Sequence, residues 1–151
     1  MTKVELARKR FSEGFHCSQA VLEAFAEDYG LDPILSRKLA NPLAGGSGIG
    51  GECGAVTGSF LVIGLAYGMR HPDDSAAFQT VFEKVGLFVN IFTAHHGNLN
   101  CRQLIGIDVF SEEGYAEFTK KKIKMTQCIT YVADAVGILE EILKKKTEPK
   151  E

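Results

Sequence analysis

The feature that most constrains this chain is a run of seventeen residues, 53–69, without a single charge. Such a run belongs either in the hydrocarbon of a bilayer or in the middle of a packed fold. A membrane span needs about 20 predominantly apolar residues. This run is shorter, and Gly54, Thr57, Gly58, Ser59, Gly64 and Gly68 interrupt it. It predicts a buried central helix of a soluble fold, over about residues 52–69. A chain of 151 residues can bury about two thirds of its unfolded surface around such a helix, so it needs no staples to fold.

Helical periodicity dominates the remainder. Val4, Leu6, Ala7 and Phe11 mark a first short helix, stopped by Gly14. Cys17, Ala20, Val21, Ala24 and Phe25 recur as an amphipathic stripe, with Gly30 placed as a C-terminal cap. Asp32-Pro33 supplies an N-cap and a first helical residue for a helix carrying Leu35, Leu39 and Leu43, with Pro42 near its end. Residues 45–51 hold five glycines in seven and read as a loop or sharp turn. Gly46-x-Gly48-x-x-Gly51 spells a dinucleotide fingerprint, but no strand precedes it and no βαβ unit surrounds it. Asp73 and Asp74 open a long helix to about His96, with Phe78, Val81, Phe82, Val85 and Phe88 on its inner side. Asn100 caps a short helix over 101–105, closed by Gly106. Ser111 starts another helix. The last runs from about Lys124 to Lys145, with Cys128, Val132, Ala135, Val136, Leu139 and Ile142 inward. No alternating β-branched run predicts a strand. The expectation is an all-α, single-domain bundle of about six to seven helices over residues 1–146, with the glycine-rich loop before the central helix and a frayed tail over 147–151.

Charge excludes one class of partner. With 17 basic and 19 acidic residues the net charge is −2, which leaves no electrostatic footprint for nucleic acid. The cluster Lys120, Lys121, Lys122 and Lys124 reads as a solvated face or turn. The first ten residues carry mixed charge without an apolar core, unlike an ordinary signal peptide. The expected compartment is the cytoplasm, where thiols stay reduced. Four cysteines there are catalytic thiols, metal ligands or inert core residues sooner than structural disulfides.

Those four are Cys17, Cys53, Cys101 and Cys128. No two are close in sequence, so neither a Cys-x-x-Cys redox motif nor a zinc-ribbon spacing is present, and there is no Cys-x-x-Cys-His for haem attachment. Cys17, Cys53 and Cys101 each fall in the first turn of a predicted helix. Free N–H groups and a partial positive charge there favour thiolate over thiol, and can lower a thiol pKa from about 8.5 into the range of about 3.5–7.5. Cys128 sits inside a helix on its apolar face. The pattern predicts three helix starts converging on a fourth helix. The plainer reading is that each cysteine is a small buried residue. Gly54 and Gly58, four apart beside Ala55, allow another helix to approach closely. Each helical glycine costs about 1 kcal/mol relative to alanine, which close packing must offset, and that packing needs no chemistry. The glycine loop can also aim N–H groups at an anion or a cluster sulfur.

His16 precedes Cys17, and proximity can lower the thiol pKa, although a cap or surface role is the simpler reading. His95 and His96 lie near a helix C-terminus, where histidine suits the dipole without any function; a ligand role for one of them is the alternative. His71, before Pro72, reads as a turn residue.

The order Cys17, Cys53-Gly54-Ala55-Val56-Thr57-Gly58, Cys101, Cys128 resembles the C_GCAxxG_C_C family of redox-active proteins. Supporting stretches are His16-Cys17-Ser18-Gln19-Ala20-Val21, Gly51-Glu52-Cys53 and Cys101-Arg102-Gln103-Leu104-Ile105-Gly106. The likeness runs from about Phe15 to Leu143. The family name spells Gly-Cys-Ala where this chain reads Cys53-Gly54-Ala55. The resemblance implies redox activity centred on the four cysteines. A related domain of the split-Soret cytochromes pairs an iron–sulfur centre with haem, and only the iron–sulfur part has a counterpart here.

Three functions follow. In the first, Cys17, Cys53, Cys101 and Cys128 hold an iron–sulfur or other metal–thiolate centre for electron transfer or redox sensing, four thiolates being the usual complement. In the second, there is no cofactor and the protein is a thiol–disulfide oxidoreductase with Cys53 or Cys101 as nucleophile. In the third, the four thiolates hold a structural zinc, or the chain is a non-catalytic binding module. The partner expected is a redox protein of unknown identity, and the phenylalanine-rich long helix is the candidate face for a homodimer.

Overall fold

The structure is a computed structural model and describes residues 1–144. The expected tail over 147–151 and the last helix's end at Lys145 lie outside the described residues. Eight α-helices follow one another: α1 (Lys3–Ser12), α2 (Cys17–Ala26), α3 (Pro33–Ala40), α4 (Gly54–Tyr67), α5 (Ser75–His96), α6 (Cys101–Ile105), α7 (Glu112–Lys120) and α8 (Ile129–Lys144). The fold is all-α, as expected, with a slightly higher helix count. Among the described residues no strand forms, and no helix is long and apolar enough to cross a membrane.

Local signals explain where the helices begin. Thr2 and Glu5 form a reciprocal capping box on α1. Asp32, Asp74, Asn100 and Ser111 each accept a backbone N–H at the start of α3, α5, α6 and α7. Gly97 and Gly106 close α5 and α6 with left-handed φ.

The middle of the fold is α2 as much as α4. Every residue of α2 after Cys17 is buried, and α1, α3, α4 and α8 all pack on it. Its buried Glu23 is held by Arg10 Nε and Arg37 Nε, each at 2.8 Å. Ser18 Oγ donates to the Ala40 carbonyl at 2.7 Å and ties α2 to α3. The uncharged α4 buries Val56, Val62 and Ile63, but presents Leu61 and Leu65 at the surface. The inner face of α8 is as expected, with Val132, Ala135, Val136 and Leu139 fully buried.

Parts of two apolar stripes face elsewhere than periodicity suggested. On α5, Phe78 and Phe82 are exposed at 54% and 58%, while Phe88 and Phe92 are fully buried. Val81 and Val85 of the same stripe pack against the core, as expected, while the two exposed rings meet each other, with centroids 5.1 Å apart. On α3 the buried residues are Ser36 and Ala40, with Leu35 and Leu39 exposed, because the close approach to α2 admits only small side chains.

Candidate functional site: a cavity lined by four cysteines

Small residues set the geometry. A Cβ added to Gly54 would lie 2.4 Å from Cys17 Sγ, and one added to Gly58 would lie 2.9 Å from the Ser18 carbonyl oxygen. These two glycines therefore let the first turn of α2 rest directly on the first turn of α4, and the gap at Gly54 receives the Cys17 sulfur. Cys53 is the N-cap residue of α4, beside that gap. The close packing and the juxtaposed thiols are one device.

A second device brings in Cys101. Cys53 N–H donates to the Leu99 carbonyl at 2.8 Å, and Cys101 N–H donates to the Gly51 carbonyl at 2.7 Å. The resulting antiparallel bridge, Glu52 opposite Asn100, starts α4 and α6 side by side. The loop before it takes left-handed φ at Gly45, Gly46, Ser47, Gly48 and Gly50. Gly46 is obligatory, since a Cβ there would meet the Gly51 backbone at 2.5 Å. Cys128 ends a wide helical turn, Lys124–Cys128, that leads into α8. Gln127 Nε2 donates to the Leu104 carbonyl at 2.8 Å and to Tyr131 Oη at 2.7 Å, which joins this helix to α6.

All four cysteines line one cavity of about 980 Å³. Its other walls are largely apolar, with Phe11, Tyr131 and the segment from Val109 to Phe118 contributing side chains. Three helix starts and a fourth helix do meet, as the pattern predicted. All four thiols are free.

Their electrostatics are not equivalent. Cys17 is lowered from an ordinary 9.0 to about 7, chiefly by hydrogen bonding from the Cys53 thiol, with burial opposing and the N–H groups of Gly45, Ser18 and Cys17 itself assisting. Cys53 is pushed well up, first because its proton is engaged by Cys17 and then by burial. The two thiols titrate as a pair, Cys17 being the one that ionises first. Burial, then the Cys17 charge, raises Cys101 to about 11 and Cys128 to about 12.

Lys124 belongs to this site. The sequence grouped it with Lys120, Lys121 and Lys122, which are exposed, but Lys124 is half-buried and lines the cavity. Its Nζ donates to the Phe15 carbonyl at 3.2 Å and sits 4.7 Å from the Phe11 ring centre. Burial lowers its pKa, and the charges of Cys17 and Cys128 oppose that. Helical spacing from Cys128 was the available signal: position 124 is one turn earlier and shares its face. His16 also lines the cavity, its pKa lowered by burial and then by Lys124. His96 instead bonds to Asp134 Oδ2 at 2.9 Å, and neither it nor the exposed His95 lines the cavity. His71 is exposed in a turn, its carbonyl accepting from Asp74 N–H.

A single metal ion requires donors gathered around one point. Among the described residues no three His, Cys, Asp or Glu side chains are so gathered. The four sulfurs share a cavity without meeting that single-ion condition.

A family model described as "Putative redox-active protein (C_GCAxxG_C_C)" matches residues 15–142. No curated protein and no solved structure is significantly similar to the chain.

Proposed function

The chain belongs to the C_GCAxxG_C_C family of redox-active proteins, and from that premise we propose that it is a metal-free thiol–disulfide oxidoreductase in which Cys17 attacks and Cys53 resolves. One observation carries the reading: the Cys17 sulfur lies in the gap at Gly54, next to the N-cap residue Cys53, and both cysteines line one cavity. A thiol with a pKa near ambient pH is the best attacking group, being substantially ionised yet still nucleophilic. The expected attacking roles of Cys53 and Cys101 pass to Cys17, because both of those thiols are raised.

The Cys17 thiolate forms a bond to one sulfur of a substrate disulfide, and the S–S bond breaks. The departing thiolate takes a proton from solvent. Cys53 then loses its proton to solvent and attacks the Cys17 sulfur. The second substrate thiolate leaves and is protonated in turn. The substrate gains two electrons and two protons, and the protein holds a Cys17–Cys53 disulfide. An external dithiol returns it to the reduced state by the same exchange in reverse.

The test is alkylation of Cys17 by iodoacetamide across pH, read by peptide mass. A midpoint near 7 supports the proposal. A midpoint at or above the ordinary thiol value contradicts it.

A metal–thiolate or iron–sulfur centre on Cys17, Cys53, Cys101 and Cys128 is the second reading, favoured by their common cavity. Iron and zinc content after anaerobic purification separates the two: about one metal centre per chain supports the centre, and four titratable thiols without metal support the thiol pair.

A further inference from the structure

Four sulfurs occupy a small part of a cavity of about 980 Å³. That volume matches the upper end of small-molecule sites, about 300–1,000 Å³, which are mostly apolar with a few placed polar groups. The same cavity is lined by three aromatic rings, Phe110, Tyr115 and Phe118, from one continuous segment. Phe110 and Tyr115 are each 60% exposed and stand at the rim. Such rings have large apolar faces to offer a guest.

Access is the second constraint. Cys53 is only 6% exposed and Cys17 is half-buried, so the pair is reached through the cavity. Exchange needs the attacking sulfur, the attacked sulfur and the leaving sulfur nearly in line. A disulfide in a folded protein carries backbone on both flanks, which obstructs that approach inside a cavity, whereas a free small disulfide carries none. Lys124, which lines the cavity near Cys17 and Cys128, provides a cation for the departing thiolate.

We infer that the substrate of the thiol pair is a low-molecular-weight disulfide with an aromatic or bulky apolar body, held in the cavity against Phe110, Tyr115 and Phe118 before exchange. The inference rests on the thiol–disulfide reading.

The test compares rate constants for 4,4′-dithiodipyridine, for cystine and for a folded disulfide-bonded protein, each divided by the rate constant of free glutathione with the same disulfide. The normalised preference for the aromatic disulfide over cystine is expected to be at least about tenfold, a modest requirement for burying one aromatic ring. Tyr115→Ser and Phe110→Ser, both at exposed positions, are expected to reduce that preference at least about threefold. A normalised preference near one overturns the inference, as does a folded protein disulfide reacting as fast as the aromatic one. Should diamide still link Cys17 to Cys53 with a midpoint near 7, only the substrate class falls. Should that midpoint be ordinary, both readings fall together.

Discussion

Cys17 gains its character from two neighbours that the chain places far away in sequence, the proton of Cys53 and the missing side chain of Gly54. Cys53→Ala removes the proton donor, so the midpoint for Cys17 alkylation rises by about one pH unit or more, toward an ordinary thiol. Reactivity at pH 7 then falls only several-fold, because a more basic thiolate is also more nucleophilic. Cys53→Ser retains a hydroxyl donor and shifts the midpoint less, although it forms no disulfide. An unmoved midpoint in Cys53→Ala contradicts this account. The helix-start positions of Cys17, Cys53 and Cys101 were legible, since capping residues and glycines mark those starts locally. The pairing of Cys17 with Cys53 was not, because it depends on how closely two helices approach. Lys124 was hidden by its lysine neighbours, whose exposure it does not share.

Among the elements, the contact between α2 and α4 explains which glycines of α4 are structural. The sequence marks Gly54 and Gly58 for a close helix approach and counts Gly64 and Gly68 only among the costs that packing must offset. Gly54 and Gly58 are in tight contact, whereas Gly64 has nothing within 4 Å of an added Cβ. Gly64→Ala is therefore expected to stabilise the fold by about 0.5–1 kcal/mol through helix propensity. Gly54→Ala and Gly58→Ala are expected to destabilise it by about 1–3 kcal/mol, overpacking outweighing propensity. Urea midpoints check all three, and equal signs for the three variants contradict the packing argument. Periodicity also misplaced part of the inner faces of α3 and α5. Apolar spacing shows which residues share a face. It does not show that Ser36 and Ala40 are the buried residues of α3, nor that Phe78 and Phe82 stay exposed while Val81, Val85 and Phe88 pack inward. The bridge between Glu52 and Asn100 was equally invisible, being a single pairing with no strand pattern around it.

For the whole molecule, the four thiols make stability depend on pH in two opposing ways. Cys17 has a lowered folded-state pKa, so its contribution is present above the unfolded thiol value and is lost as pH falls toward 7. Cys101 and Cys128 are raised, to about 11 and about 12. Their contribution is present below the unfolded value near 9 and is lost as pH rises through that window. Urea midpoints are expected to fall steadily above about pH 9, and Cys128→Ala is expected to flatten the fall. A midpoint independent of pH up to 11 contradicts the burial of these thiols. The cavity belongs to this scale too. Its ingredients were readable one by one, but its volume and its aromatic wall arise from how α6, α7 and the glycine loop close around the helix starts.

The central claim is that Cys17 and Cys53 form one redox pair. Mild oxidation with diamide, followed by non-reducing peptide mapping by mass spectrometry, tests it most directly. The account predicts a Cys17–Cys53 disulfide, reversed by dithiothreitol, with Cys101 and Cys128 still free. A first disulfide between any other pair, or four thiols that stay free, contradicts it.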